Sequence, residues 1–170
     1  CQLPGFGPPQ VEPKESAWAM CREMQSAALN MPNTAIANLI DTCEDGDLHP
    51  LNKQDVGYRL ALVAMANTYG VQDLAWSGPV FDSMTVDEGR AILTFRHADG
   101  GLTARPLSAT YHPNLRRPEL PQQPLVKTRP DGELQGFAIC DAAQRWLPAR
   151  AKIAGDKVIV WSDELKNPVA

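Results

Sequence analysis

The spacing of apolar residues changes at Gly70, and this change limits the folds that the chain can adopt. Before Gly70, apolar side chains recur every three or four residues over 15–31 and again over 52–69, which predicts two α-helices. Pro32 and Gly70 are predicted to end them. The short apolar run between them, Ala35–Ile40, is predicted to be a buried β-strand. This order of helix, strand, loop and helix is typical of the last part of an open α/β sheet, and the second helix is apolar enough to pack against that sheet.

After Gly70 the sequence consists of short apolar runs separated by turn residues. The predicted strands and the turn of the last hairpin are Phe137–Cys140, Ala151–Ile153, Val158–Trp161 and Gly155-Asp156. Another hairpin is predicted around the D-G-G sequence of "GRAILTFRHADGGLTARP". The proline-rich stretch 105–131 is predicted to be a long loop. We therefore expect residues 71–170 to form a β-sandwich-like accessory module that is truncated at its end.

The charge and hydropathy of the chain argue against two classes of partner. The formal net charge is −4 at pH 7, whereas a nucleic-acid-binding surface usually carries a basic patch. No run approaches the roughly 18 apolar residues that a membrane-spanning helix needs. Because 44% of the residues are hydrophobic, the chain can still build a real core. We expect neither nucleic acid nor a membrane as a partner.

The four cysteines do not have the spacing of a zinc site, since no C-x-x-C pair occurs. Cys21 and Cys140 lie in apolar surroundings and are predicted to be small core residues. The first residue is Cys1 and not methionine, so we expect a processed product or a fragment. The cellular compartment stays open.

An acidic segment surrounds one of the three histidines, in "DTCEDGDLHPLNK". Asp45 and Asp47 precede His49 by four and two residues, in a loop that would follow a strand of the α/β sheet, where catalytic groups collect. A neutral imidazole can act as a general base, and a carboxylate can fix its tautomer. The same residues could instead ligate a metal, or form a solvated acidic loop without chemistry. The residues alone leave these three alternatives open.

A nucleophile to accompany this histidine is not evident. The chain has no G-x-S-x-G elbow, and Ser77 in "WSGP" has no base partner nearby in the sequence. The two other histidines, His97 and His112, are expected in a turn and a loop. If the protein is a serine hydrolase, its serine is expected outside this chain.

An ordered series of motifs runs along the chain: W-x-x-x-R-E-x-Q on a helix, a Pro-Asn-Thr step, an aspartate-ended strand, H-P-x-x-K and V-G-x-R-L-A. The residues at these places are Trp18, Arg22, Glu23, Gln25, Pro32, Asn33, Thr34, Asp41, His49, Pro50, Lys53, Gly57, Arg59, Leu60 and Ala61. The series resembles the C-terminal part of the sialate O-acetylesterase family, carbohydrate esterases of the SGNH-hydrolase superfamily. Further matches, such as "GRAILTF", "LQGFAIC" and "ARAKIAGDKVIV", extend the resemblance over nearly the whole chain.

The resemblance implies a catalytic role for the acidic segment, in the hydrolysis of acetyl esters on sugars by Ser-His-Asp acyl transfer. His49 would be the base, and no cofactor is implied. The superfamily spaces its acid as D-x-x-H, but Gly46 occupies that position here. Asp47 is therefore the first candidate for the acid and Asp45 the second, while Asp41 is a candidate structural residue.

The resemblance also implies the fold and the partners. Residues 1–70 would be the C-terminal portion of a flavodoxin-like SGNH hydrolase sheet. The family's serine and its oxyanion-hole residues belong to the N-terminal part of that domain, which is the expected partner, so we expect this chain alone to be inactive. The expected substrate is an acetylated glycan, with sialic acid or a plant polysaccharide as its sugar, in a periplasmic, secreted or lysosomal setting. The alternative is a non-catalytic glycan-binding or structural β-module.

Overall fold

The computed structural model describes residues 1–6, 13–42, 48–104 and 131–170. They divide into two compact units: residues 1–6, 15–42 and 48–78 belong to the first, and residues 13–14, 79–104 and 131–170 belong to the second. In the described part, the first unit holds both α-helices and the second holds five β-strands. The roles assigned to 1–70 and 71–170 stay predictions.

Helix α1, Ala17–Ser26, begins where the sequence supplies a cap. The Ser16 hydroxyl oxygen accepts a hydrogen bond from the backbone N–H of Ala19 at 3.3 Å, which satisfies a donor that the helix itself cannot. The helix continues into a 3₁₀ turn, Ala27–Asn30. The first predicted helix and its end before Pro32 are confirmed.

The first residues of the chain are bound to α1 without forming regular structure. The indole Nε1 of Trp18 donates to the carbonyl of Pro4 at 2.7 Å, and the backbone N–H of Leu3 donates to the amide oxygen of Gln25 at 2.8 Å. The rings of Phe6 and Trp18 lie 5.6 Å apart. Two residues of the W-x-x-x-R-E-x-Q motif therefore hold the N-terminal segment on the helix.

The predicted strand Ala35–Ile40 is wrong, although its burial pattern is that of a strand. Ala37 and Leu39 are buried and the residues that follow each of them are exposed, the alternation that a strand produces. A strand also needs a ladder of backbone hydrogen bonds to a neighbour. No strand of the described residues pairs with this segment; instead the backbone N–H of Gln2 donates to Ala37 at 2.9 Å.

Helix α2, Lys53–Asn67, is capped by Asn52. The side-chain oxygen of Asn52 accepts from the backbone N–H of Asp55 at 3.1 Å, and its NH₂ group donates to the Asp55 carboxylate at 2.8 Å. Gly70, just beyond the helix, has φ +68°, the left-handed conformation that glycine adopts without strain. The second predicted helix and its end are confirmed. No residue of α2 is buried, so the expected packing against a sheet is not seen among the described residues.

Neither helix in the described part of the chain is long and apolar enough to cross a membrane.

The described residues of the second unit form an antiparallel sheet in which the strands lie in the order β1-β2-β5-β4-β3. The strands are Val80–Asp87 (β1), Arg90–Arg96 (β2), Leu134–Cys140 (β3), Trp146–Ala154 (β4) and Lys157–Trp161 (β5). Glu88 and Gly89 connect β1 to β2, both with positive φ, as a two-residue hairpin of the type I′ class requires.

The two faces of this sheet differ in their side chains. The residues buried on the core face, together with Leu165 from the segment after β5, are Ala91, Leu134, Ile139, Ala151, Val158 and Val160. Burying one such valine or isoleucine side chain contributes about 1.5–3 kcal/mol. The opposite face carries Trp161, whose ring lies 5.8 Å from the Arg90 guanidinium and 5.0 Å from that of Arg150. Arg150 also pairs with Glu133.

Strands β3, β4 and β5 contain the three predicted strands, and Gly155-Asp156 connects β4 to β5 as predicted. The predicted D-G-G hairpin is wrong. A turn does form there, with a hydrogen bond from Gly101 N–H to Ala98 at 2.8 Å, but 102–104 does not form a strand. The reason is that β2 already pairs with β1 on one edge and β5 on the other.

The described residues of the second unit contain a single sheet, so the β-sandwich stays a prediction. The long loop predicted at 105–131 lies outside the described residues except for its last position. Of the two cysteines predicted to be core residues, Cys140 is buried, as expected, whereas Cys21 is exposed. That second prediction is wrong because α1 buries none of its side chains.

Gly89 supports a prediction about stability. Its φ is +76°, and a Cβ atom added there would lie 3.0 Å from the backbone oxygen of Lys166. We expect Gly89→Ala to lower the free energy of unfolding by about 2–3 kcal/mol, because alanine is strained at this φ and would also displace the Lys166 backbone. Urea denaturation of the chain measures the loss.

The matched control is Gly155→Ala. Gly155 has a similar φ of +66°, but an added Cβ would meet nothing within 4 Å. We expect this variant to show the conformational cost alone, about 1–2 kcal/mol. Equal losses in both variants would contradict the role given to the Lys166 contact.

Candidate active site

His49 lies in the segment that leads into α2, three residues before the cap Asn52. The His49 side chain is exposed, whereas Pro50, the next residue, is buried. Asn52 is also buried, with 4% of its surface exposed. Because proline fixes φ and Asn52 is bound to the first turn of α2, the backbone on the C-terminal side of His49 is held in place. An accessible imidazole on a held backbone is suited to proton transfer.

Asp45 and Asp47, the two candidates for the acid, lie outside the described residues. Their geometry relative to His49 is therefore not part of the structure, and their roles stay predictions. Within the residues that are described, no group of three or more His, Cys, Asp or Glu side chains could hold a metal ion. This leaves the metal hypothesis for Asp45, Asp47 and His49 untested.

Asp41 forms a two-pronged ion pair with Arg59 of α2. Nη1 of Arg59 lies 2.5 Å from Oδ1 of Asp41, and Nη2 lies 2.7 Å from Oδ2. Nη1 also donates to the backbone carbonyl of Asn38 at 2.6 Å. Such fork-shaped contacts are stronger and more directional than single ones. This geometry supports the structural role considered for Asp41 from the sequence.

The electrostatics of this ion pair keep the guanidinium charged. The hydrogen bond with Asp41 raises the pKa of Arg59 above its ordinary value, while burial acts in the opposite direction. The negative charges of Asp41 and Asp55 raise it further. Arg59 is therefore a permanent cation that faces a carboxylate.

The turn that contains Asp41 is also held by its own hydrogen bonds. The hydroxyl and the backbone N–H of Thr42 both donate to the Leu39 carbonyl, at 2.8 and 3.0 Å. The backbone N–H of Ile40 donates to the side-chain oxygen of Asn38 at 3.0 Å. Thr42 is 1% exposed. The acidic segment thus starts from a fixed turn, just as it ends at a fixed helix cap.

The other candidate side chains lie elsewhere. The hydroxyl of Ser77 donates to the Gly78 carbonyl at 2.9 Å, which gives no support to a nucleophilic role. His97 is exposed in the turn after β2, with φ +59°, so its expected place in a turn is confirmed. His112 lies outside the described residues.

Neither Asn52 as the cap of α2 nor Arg59 as the partner of Asp41 was identified from the sequence. Asn52 as a helix cap had a usable signal, since asparagine before an apolar periodic segment is a common start. Arg59 had a weaker one, an arginine within the apolar stretch "VGYRLAL".

Comparisons with known proteins give the following relationships. No protein-family model matches the chain. Over 54 residues it is 46% identical to mouse sialate O-acetylesterase, which is 29% of this chain and 10% of that protein. Over 71 residues it is 35% identical to human sialate O-acetylesterase, which is 39% of this chain and 14% of that protein.

A solved structure matches over a longer range. The chain is similar to a carbohydrate acetylesterase from Xanthomonas citri, with a TM-score of 0.73 and 38% sequence identity. The match covers 99% of this chain and 33% of that chain. The chain thus spans about a third of this solved relative and matches a smaller share of the sialate O-acetylesterases. The α/β fold with an antiparallel sheet and the resemblance stated from the motifs are both confirmed.

Proposed function

Because this chain is related to the sialate O-acetylesterase family, we propose that it forms part of a carbohydrate O-acetylesterase. The observation that carries the proposal is the similarity to the Xanthomonas citri acetylesterase along 99% of the chain at 38% identity. The substrate class is an acetylated glycan, with sialic acid or a plant polysaccharide as the sugar. The fold alone does not choose between these sugars, because one scaffold can host several specificities.

The proposed chemistry is two-step acyl transfer in which His49 is the general base. A serine outside this chain attacks the acetyl carbonyl, and His49 takes the serine proton as the new C–O bond forms. The protonated imidazole then gives that proton to the sugar oxygen as the ester bond breaks. His49 then deprotonates a water molecule as that water attacks the acetyl carbonyl, the bond to the serine oxygen breaks to release acetate, and His49 returns the proton to the serine oxygen. The exposed position of His49 supports this role, since both serine and substrate must reach the imidazole.

The acid of the triad is proposed to be Asp47, with Asp45 as the second candidate. Its carboxylate would fix the tautomer of His49 and stabilise the imidazolium during transfer. The pairing of Asp41 with Arg59 through both carboxylate oxygens supports leaving Asp41 out of the triad.

Exposed apolar side chains on both described helices support the presence of a partner domain that covers them. Met20 and Met24, one turn apart on α1, are 55% and 73% exposed. Tyr58 and Met65, two turns apart on α2, are 62% and 41% exposed. Large apolar side chains grouped on one helix face usually pack against something. We propose that the N-terminal part of the same esterase covers them, with residues 1–70 as the C-terminal part of its flavodoxin-like SGNH domain and residues 71–170 as a β-sandwich-like accessory module.

The proposed function is tested by measuring hydrolysis of 4-nitrophenyl acetate by the full-length protein and by this chain alone. We expect turnover from the full-length protein and none above background from the chain, because the serine is outside it. Acetylated sialic acid and acetylated xylan, assayed separately, then identify the sugar.

Two outcomes would contradict this. A full-length protein that binds acetylated glycans without releasing acetate would favour the non-catalytic glycan-binding module. Turnover by the isolated chain would disprove the division of the triad between two segments, and Ser77 would be the first residue to mutate.

A further inference from the structure

Arg59 connects two parts of the chain that flank the acidic segment. Its guanidinium binds the Asp41 carboxylate and the Asn38 carbonyl on one side of that segment. Its backbone belongs to α2, which begins on the other side, at Lys53. The contact joins residues that are 18 positions apart in the sequence, and it closes a ring of chain that includes His49.

Thr42 and Asn52, near the two ends of the acidic segment, are each held by hydrogen bonds of their own. On the N-terminal side, Thr42 is bound to the Leu39 carbonyl through its hydroxyl and its backbone N–H. On the C-terminal side, Asn52 caps α2 through Asp55. The contact of Arg59 with Asp41 and Asn38 joins α2 directly to the turn on the N-terminal side. The conformational freedom of a loop falls when its ends are held at a fixed separation.

We propose that Arg59 is a positioning residue for His49: by binding Asp41 and Asn38, it holds the start of the acidic segment against the helix that follows His49. The inference rests on the proposed function, because it assigns Arg59 to the site in which His49 is the base. Arg59 does not touch the reacting atoms in this proposal.

The geometry explains why arginine is suited to this role. The planar guanidinium offers several donors in a fixed arrangement, so one side chain can engage two carboxylate oxygens and a carbonyl together. Lysine carries the same charge on a flexible stem and cannot reproduce the fork. The hydrogen bond with Asp41 raises the pKa of Arg59, so the guanidinium side of the contact stays charged.

The test is Arg59→Met in the full-length protein, with kcat and KM measured per folded molecule on 4-nitrophenyl acetate. We expect kcat to fall about 10- to 100-fold, because a displacement of about 1 Å in a reacting group has that effect. KM should stay within about threefold, since Arg59 does not bind the substrate. A purely structural role would change the melting temperature and the folded fraction without changing kcat per folded molecule.

The matched control is Arg96→Met in β2. Arg96 forms an ion pair with Asp82 at 3.6 Å, and both side chains are about half exposed. This variant loses an ion pair of the same residue types between β1 and β2 of the second unit. The proposal gives that pair no role, so its kcat should equal that of the parent. Equal kcat losses in Arg59→Met and Arg96→Met would overturn the inference.

A double-mutant cycle tests the partner. Asp41→Asn should reduce kcat to a similar degree as Arg59→Met, and the double variant should be no slower than the worse single variant, because both changes remove one connection. Fully additive losses would overturn the proposed pairing.

If Arg59→Met does not fold, Arg59→Lys can be measured instead, because it keeps the positive charge but cannot bind both carboxylate oxygens of Asp41. We expect Arg59→Lys to lose about 3- to 10-fold in kcat, and full activity would contradict the proposal.

The same assay separates this inference from the proposed function. If His49→Asn retains the parent's kcat, the proposed function fails and Arg59 has no base to position. If His49→Asn is inactive while Arg59→Met matches the parent, the function stands and the positioning role alone is wrong.

Discussion

Replacing His49 by asparagine in the full-length protein is expected to lower kcat by about 10⁴-fold or more. Asparagine cannot accept the proton of the attacking serine or of the water that later releases acetate, so both steps lose their general base. The exposed position of His49 means that the substitution should leave folding intact. The measurement is kcat on 4-nitrophenyl acetate, with the melting temperature as the check on folding.

His97→Asn is the control for this substitution. His97 is also an exposed histidine, and its φ of +59° is a conformation that asparagine tolerates better than most residues. We expect its kcat to match that of the parent. A His49→Asn variant as active as His97→Asn would return the acidic segment to a solvated loop without chemistry.

The second large effect concerns the acid. Asp47→Asn is expected to lower kcat by about 10²- to 10⁴-fold, because the amide neither stabilises the imidazolium nor selects the productive tautomer of His49. Asp45→Asn should stay within about threefold, the range of a surface charge change near a site. Both variants are nearly isosteric with the parent, so each serves as the control for the other.

The three remaining results of this pair are also informative. A large loss in Asp45→Asn with little loss in Asp47→Asn would exchange the two assignments. Large losses in both, recovered by adding a divalent metal and abolished by a chelator in the parent, would favour the metal site. No loss in either would remove the acid from this segment.

The parts of the fold that were predictable are those whose cause is local. The two helices carry their periodicity and their end signals within their own residues, and the β4–β5 hairpin carries its turn in Gly155-Asp156. The two wrong strand predictions concern elements whose structure depends on pairing with segments that are distant in the sequence. Ala35–Ile40 has a strand's burial pattern but no described strand beside it, and the D-G-G turn is not a hairpin because β2 already has two neighbours.

The candidate site shows the same limit. His49 could be singled out because its acidic neighbours and the H-P-x-x-K motif are contiguous in the sequence. The contact between Arg59 and Asp41 could not, since it depends on how the first turns of α2 lie against the turn 38–42. Sequence spacing alone gives no distance between two such elements.

The strand order β1-β2-β5-β4-β3 has a consequence for how the second unit acquires its structure. The pairs β1–β2 and β4–β5 are hairpins closed by two-residue turns, so the entropy lost in closing them is small and they can form within microseconds. The pairing of β2 with β5 must instead bring together segments separated by the whole stretch 97–156. Such a non-local step raises the contact order and slows folding. We therefore expect the joining of these two hairpins, and not the formation of either, to limit the folding rate of this sheet.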